Sequence, residues 1–134
     1  MNRVSTESSA ILSSARELLD EAVQAHGGLE RWRNIAERRV RASSGGFAFA
    51  RKLQYGALEN REVRVATRIQ RTMLIPYPSL GRLGVFEAGT VRIESEDGEI
   101  LQQRDDPRSA FGKFRQGLWW DALDLLYFAG RAIA

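Results

Sequence analysis

His26 is the only histidine of the chain, and there is no cysteine. A histidine cluster for zinc, a thiolate metal site and a disulfide framework are therefore all out of reach. As a general base, His26 would need a carboxylate partner and a cleft. It stands instead where helical spacing ends, ahead of Gly27-Gly28, and an imidazole there bonds the last carbonyls of the helix. The glycine pair does not read as a phosphate cradle, because such loops follow a strand and open a helix, whereas this pair closes one. Asp105-Asp106, with Asp97 and Glu99, lacks the ligand spacing of a calcium loop, and turn and cap duties account for these carboxylates. Asp121 and Asp124 complement the positive end of a helix dipole. Ser13, Ser14, Ser43, Ser44 and Ser79 have no nucleophile-elbow context. No catalytic residue, metal or cofactor is assigned on this basis. An enzyme pairing His26 with a carboxylate in a small cavity ranks third among the readings.

Binding chemistry is better represented. Arg38, Arg39, Arg41, Arg51, Lys52, Arg61, Arg64, Arg68 and Arg71 cluster in one part of the chain, with Phe47, Phe49 and Tyr55 among them. Sheets that bind single-stranded nucleic acid stack bases on exposed aromatics between such cations. Here the aromatics share the buried parity and no ribonucleoprotein or KH motif is present, so a solvated outer face is favoured over nucleic acid. The apolar inventory is the stronger clue. Trp32, Phe47, Phe49, Tyr55, Val65, Phe86, Phe111, Phe114, Trp119, Trp120, Tyr127 and Phe128 either fill a core or line an apolar cavity for a lipid-like molecule.

The elements that must position these residues follow from periodicity. Arg61–Thr72 places Val63, Val65, Thr67 and Ile69 on one parity and Glu62, Arg64, Arg68 and Gln70 on the other, as in a strand with one dry and one cationic face. Such a half-wet sheet is antiparallel and needs a cover. Ile11, Leu12, Ala15, Leu18, Leu19, Ala22 and Val23 recur at helical spacing and form a natural lid, with Ser8 or Ser9 as N-cap and Gly27-Gly28 as the stop. A short helical turn follows at Leu29–Ile35. Strands are expected at Arg38–Ser43, Phe47–Tyr55, Gly81–Phe86, Thr90–Ser95 and Glu99–Arg104, with Met73–Ile75 prolonging the Arg61 strand until Pro76 and Pro78. Glu96-Asp97-Gly98 is a hairpin turn. Asp106-Pro107 opens a helix. A further helix capped by Asp121 carries Leu123, Leu125, Leu126, Tyr127 and Phe128 on nearly every side, the mark of a helix buried on more than one face.

The 134 residues carry a net charge of +3, with a pI near 9.8. Lys52 and Lys113 are the only lysines, so the cations are almost all arginine. That excess suits either phosphate recognition or plain solvation of the surface, and solvation is preferred. The length predicts a single domain, residues 1–134, able to withdraw roughly two-thirds of its unfolded surface from water, with residues 1–8 disordered. No apolar run approaches the roughly 20 residues of a membrane span and no secretory signal is visible, so the expected location is cytoplasmic.

His26-Gly27-Gly28-Leu29-Glu30-Arg31-Trp32, taken with Trp120-Asp121-Ala122-Leu123 and Tyr127-Phe128-Ala129-Gly130, resembles a bacterial family of unassigned activity. The shared pattern is His-Gly-Gly-Leu-x-x-Trp, and the family is similar to the LolA-like lipoprotein-carrier fold. The chain matches only the N-terminal half of the family pattern. The resemblance implies a curved, incompletely closed antiparallel sheet holding helices against its concave side, and an apolar interior.

Together these readings predict an α+β fold. An N-terminal amphipathic helix lies on a curved antiparallel sheet of six or seven strands, an incomplete barrel, and a C-terminal apolar helix completes it. The leading function is a non-enzymatic binding or carrier module for a hydrophobic small molecule or acyl chain. The alternative is a self-associating interaction domain, such as a homodimer or half-fold without a ligand.

Overall fold

The structure, a computed structural model, describes residues 2–133. The chain is α+β and divides into two compact units, residues 1–35 and 36–134. The first unit holds α1 (Asn2–Ala25) and α2 (Leu29–Asn34). α1 begins at Asn2. Ser8 and Ser9 therefore lie inside α1 and do not cap it; the Ser9 hydroxyl donates to the Ser5 carbonyl at 3.0 Å. The C-terminus closes as the glycine pair requires. Gly28 N–H donates to Val23 O at 2.9 Å and Gly27 N–H to Gln24 O at 3.0 Å, with φ of 83° and 98°. This is the Schellman arrangement, which satisfies two terminal carbonyls through a left-handed residue. The side chains of Ile11, Leu12, Leu18 and Leu19 are exposed, between 63 and 69 %.

The second unit is built on a six-stranded antiparallel sheet. Its strands are β1 (Glu37–Ala42), β2 (Arg61–Ala66), β3 (Arg71–Ile75), β4 (Arg82–Glu87), β5 (Thr90–Ser95) and β6 (Ile100–Arg104). They pair in chain order, so β1 and β6 are both edges and the sheet is open. Short helices α3 (Phe47–Arg51), α4 (Pro107–Ala110) and α5 (Phe114–Leu118) precede or follow the strands, and α6 (Ala122–Ile133) packs on β3, β4 and β5.

Two segments differ from the periodicity reading. Arg61–Thr72 is not one strand but a hairpin, with β2 ending at Ala66 and β3 starting at Arg71. The register pairs Val63 with Leu74 and Val65 with Thr72. The turn thus reverses the parity: Val63 and Val65 face inward on β2, and Thr72 and Leu74 do so on β3. Val63, Thr72 and Leu74 are buried, Val65 is half-buried, and Ile69, in the turn, is 52 % exposed. Phe47–Tyr55 is the second difference, since its first half is α3 and not a strand. Alternating Phe and Ala over five residues fits either period, and alanine favours the helix. Gly46, at φ 130°, starts the turn, and Leu53, at φ 60°, ends it. Gln54 N–H donates to Phe49 O at 2.8 Å and Leu53 N–H to Ala50 O at 3.1 Å. The helix therefore closes in the Schellman manner without a glycine.

Across the sheet the register aligns one row, Val40–Val63–Leu74–Gly84–Ile93–Gln102, beside a second, Arg38–Val65–Thr72–Phe86–Val91–Arg104; both face inward at the centre of the sheet, while Arg38, Val40 and Gln102 on the edge strands are exposed. Leu123, Leu125, Leu126 and Tyr127 of α6 join Val63, Leu74, Phe86, Val91 and Ile93 in the core. Gly130 lets the helix approach, because a Cβ there would lie 2.4 Å from Phe86 Cβ. Gly84 makes matching room for Tyr77, whose ring would meet a Cβ at 2.5 Å. Tyr77 is fully buried, its hydroxyl donates to the Ala122 carbonyl, and this burial pushes its phenol well above the usual range.

Candidate functional site

Asp121 and Asp124 hold the N-terminus of α6 in a reciprocal cap. Asp121 Oδ1 accepts from the Asp124 backbone N–H at 2.8 Å, and Asp124 Oδ2 accepts from the Asp121 N–H at 3.0 Å. This is capping-box geometry with aspartate in both roles. Two arginines neutralise the pair. Arg104 donates to Asp121 Oδ2 at 2.7 Å and Asp124 Oδ1 at 2.8 Å, and Arg115 reaches Asp124 Oδ2 at 3.0 Å. Dipole complementarity was legible from sequence; the arginine partners, 17 and 20 residues away for Arg104, were not. Asp121, Asp124 and Arg104 satisfy one another and Arg115 joins them through Nη2, while its buried Nη1 has no hydrogen-bond partner; the group fastens α6 to the sheet.

That fastening positions an aromatic wall. Trp120, just ahead of the cap, has its Nε1–H on Gln116 O at 3.0 Å and its backbone N–H on Lys52 O at 3.0 Å. Gln54 Nε2 donates to Trp120 O at 2.6 Å and Lys52 Nζ to Gln116 O at 2.8 Å, so the loop after α3 is stitched to the loop before α6. Neighbouring rings run from Phe49 to Phe128 (6.2 Å between centroids), to Trp120 (5.2 Å), Phe111 (5.4 Å), Tyr127 (5.3 Å) and Phe86 (6.1 Å). The tilted and edge-on angles are those the ring quadrupoles favour.

Between α4 and α6 this wall leaves an open cleft of about 500 Å³, lined by Arg108, Phe111, Tyr127, Phe128, Arg131 and Ala132. A second concavity of about 520 Å³ shares Arg108, Tyr127 and Arg131 and adds Gln70, Phe86, Gly89 and Asp106. Tyr127 forms the floor and is buried, while Phe128, 44 % exposed, forms the rim. Arg131 Nη1 donates to the Tyr127 hydroxyl at 3.1 Å, one helical turn away. α4 begins where Asp106-Pro107 placed it, with Asp106 Oδ1 accepting from Ser109 N–H at 3.4 Å.

The residues singled out from sequence divide sharply. Phe86, Tyr127 and Phe128 line these concavities, and Phe49 and Trp120 stand behind the rim in the same chain of rings. Val65 packs half-buried against the core. Phe47 and Tyr55 are 79 % and 83 % exposed, because α3 and its closing turn point them away from the sheet. Trp119 is exposed beneath the Arg115 guanidinium, 4.5 Å from the ring centroid. Trp32 belongs to α2 in the first unit. Phe111, which belongs to the apolar inventory, also lines the cleft; Arg108 and Arg131 line it without having been singled out for it. The available signal was the four-residue step from Tyr127 to Arg131, which puts both on one helix face.

Other candidate chemistry settles into structural roles. His26 is exposed, with Nδ1 2.7 Å from the Ala22 carbonyl, so the ring carries its proton there and caps α1. Several strand arginines pair two residues along their own strand: Arg39 with Glu37 at 2.9 Å, Arg64 with Glu62 at 2.5 Å and Arg92 with Glu94 at 2.6 Å. Alternation puts such partners on one face, so part of the cationic surface is neutralised in place. Among the described residues no group of three or more His, Cys, Asp or Glu could hold a metal ion. No helix among them is long and apolar enough to cross a membrane. Set against known proteins, the chain matches no family model, no curated protein and no solved structure.

Proposed function

We propose that the chain is a binding module for a hydrophobic small molecule or acyl chain, held in the cleft between α4 and α6. The observation that carries this reading is the cleft of about 500 Å³ walled by Phe111, Tyr127 and Phe128. Its size falls within the usual range of small-molecule sites, and an apolar wall with few polar groups is their usual character. The polar side chains nearest the wall on the core side, Asp121, Asp124, Arg104 and Arg115, are occupied with one another. In this reading the open sheet is the incomplete barrel of the lipoprotein-carrier resemblance, curved around a C-terminal apolar helix.

Titration of the purified protein with decanoate and decan-1-ol, followed by tryptophan fluorescence, tests it, since Trp120 lies 5.2 Å from Phe128. At least one ligand should bind saturably, and Ala132→Trp, which projects a large ring into the cleft from an exposed helix position, should abolish binding. Absence of binding by both ligands, or binding unaffected by Ala132→Trp, would dismiss the cleft as a site.

A second reading, self-association, is favoured by one observation: Ile11, Leu12, Leu18 and Leu19 are exposed along a single helix. A second copy presenting the same stripe would remove this surface from water through an isologous contact. Sedimentation equilibrium at micromolar concentration separates the two readings, because a monomer would eliminate this one.

A further inference from the structure

Arg108 and Arg131 both line the aromatic cleft and the adjoining concavity, so with Tyr127 they mark the boundary the two share. Neither has a carboxylate partner among the described residues. The Arg131 side chain donates to the Tyr127 hydroxyl, a neutral acceptor that holds one N–H and leaves the rest of its fork available. The carboxylate that lines the adjoining concavity is Asp106, and the cleft proper has none in its lining. Two cations against one anion leave a single positive charge at the edge of an apolar wall. Elsewhere on this chain the exposed Arg33 and Arg39 each take a nearby glutamate, which this pair does not.

We infer that the ligand of this cleft is a single-chain amphiphile with a monoanionic head, of the fatty-acid carboxylate class. Its chain lies along Phe111, Tyr127 and Phe128 and its carboxylate meets Arg108 and Arg131. The inference rests on the cleft being a ligand site, as proposed above. Guanidinium is suited to the role because its planar N–H fork donates to both carboxylate oxygens at once, which lysine cannot match. The count of charge favours a monoanion over a dianionic phosphate, which would leave a negative charge beside Asp106. A neutral lipid of the same length would use the wall but not the arginines.

The test compares affinities of decanoate and decan-1-ol for the wild-type protein and for the Arg108→Gln, Arg131→Gln and Arg82→Gln variants; Arg82 lines neither concavity. Isothermal titration should show decanoate binding about tenfold more tightly than decan-1-ol, the scale of one charge-assisted contact. Either cleft variant should reduce that preference at least severalfold while decan-1-ol affinity stays constant, and Arg82→Gln should leave both unchanged. Equal wild-type affinities for the acid and the alcohol overturn the anionic head while leaving the apolar site standing. A preference that survives both cleft substitutions also overturns it. Failure of both ligands to bind removes the site itself. Circular dichroism melts of each variant confirm that a lost preference is not lost folding.

Discussion

Asp124 is fully buried, and Arg104 Nη1 meets its carboxylate at 2.8 Å. The contact joins the last strand of the sheet to the first turn of the helix that fills its core. Arg104 occupies the end of the inward row that contains Phe86 and Val91, so a charge sits where an apolar side chain would otherwise be expected. It is tolerated because the carboxylates of Asp121 and Asp124 accept its N–H groups. Removing one partner of such a set leaves a buried charge uncompensated, which costs more than the set contributes.

Asp124→Ala is therefore expected to lower stability by about 3 kcal/mol, since it removes the buried one of the two carboxylates that Arg104 and Arg115 share and deletes half of the α6 cap. Urea denaturation followed by circular dichroism reads this directly. A loss below about 1 kcal/mol would place the group with ordinary surface pairs.

Asp121 makes the stability of the fold sensitive to acid. Burial raises its pKa, but the Arg104 hydrogen bond, the Asp124 backbone N–H and the Arg104 charge together outweigh that and set it below the ordinary 3.8. A carboxyl depressed in the folded state contributes stability above its unfolded pKa and loses it as pH falls through the folded value. The wild-type protein should thus weaken below about pH 4. Asp121→Asn, which keeps a capping oxygen, should be less stable at neutral pH and show a shallower acid limb in urea midpoints. Parallel curves for the two proteins would contradict the assignment.

The inward parity of β2 predicts an asymmetry between neighbours. Val63→Asp buries an unpaired carboxylate among Leu74 and the α6 leucines and should abolish cooperative unfolding. Arg64→Asp loses a half-exposed pair with Glu62 and should cost about 1 kcal/mol or less. Comparable melts for the two variants would mean the faces are assigned the wrong way round.

Two backbone positions should respond in opposite directions to changes in side-chain size. Gly130→Ala improves helix propensity by about 1 kcal/mol, but its methyl would sit 2.4 Å from Phe86 Cβ, so a net loss of about 1–3 kcal/mol is expected. Leu53→Gly relieves a left-handed residue that is 74 % exposed and has φ 60°, so a net gain of about 1 kcal/mol is expected. Differential scanning calorimetry of both variants decides the matter. A stabilised Gly130→Ala would show that α6 can move off β4.

Much of the strand plan was legible because hairpins announce themselves locally. The segments Gly81–Phe86, Thr90–Ser95 and Glu99–Arg104 lie within a residue or so of β4, β5 and β6. Their turns carry glycine at Gly89 and Gly98, with φ of 83° and 87°, where other residues are strained. The β2–β3 turn gives no such sign. Thr67–Gln70 contains neither glycine nor proline, and its Thr and Ile keep alternating through the bend, so the hairpin reads as one long strand. Phe47–Arg51 misleads similarly, since five residues cannot separate a period of 2 from one of 3.6.

Of the candidate site, the sequence by itself determined the aromatic content, the cap at Asp121 and the open antiparallel pairing, since each depends on residues close together in the chain. Tertiary structure alone decided which aromatics share a wall. Phe49, Phe86, Phe111 and Phe128 come from four separate elements, and no periodicity relates positions whose spacing is set by how α6 crosses the sheet. The same holds for Arg108 beside Arg131 and for Arg104 beneath Asp124. A charge's partner across space is fixed by packing, and packing here turns on two glycines that let Tyr77 and Phe86 come close enough to seat the helix.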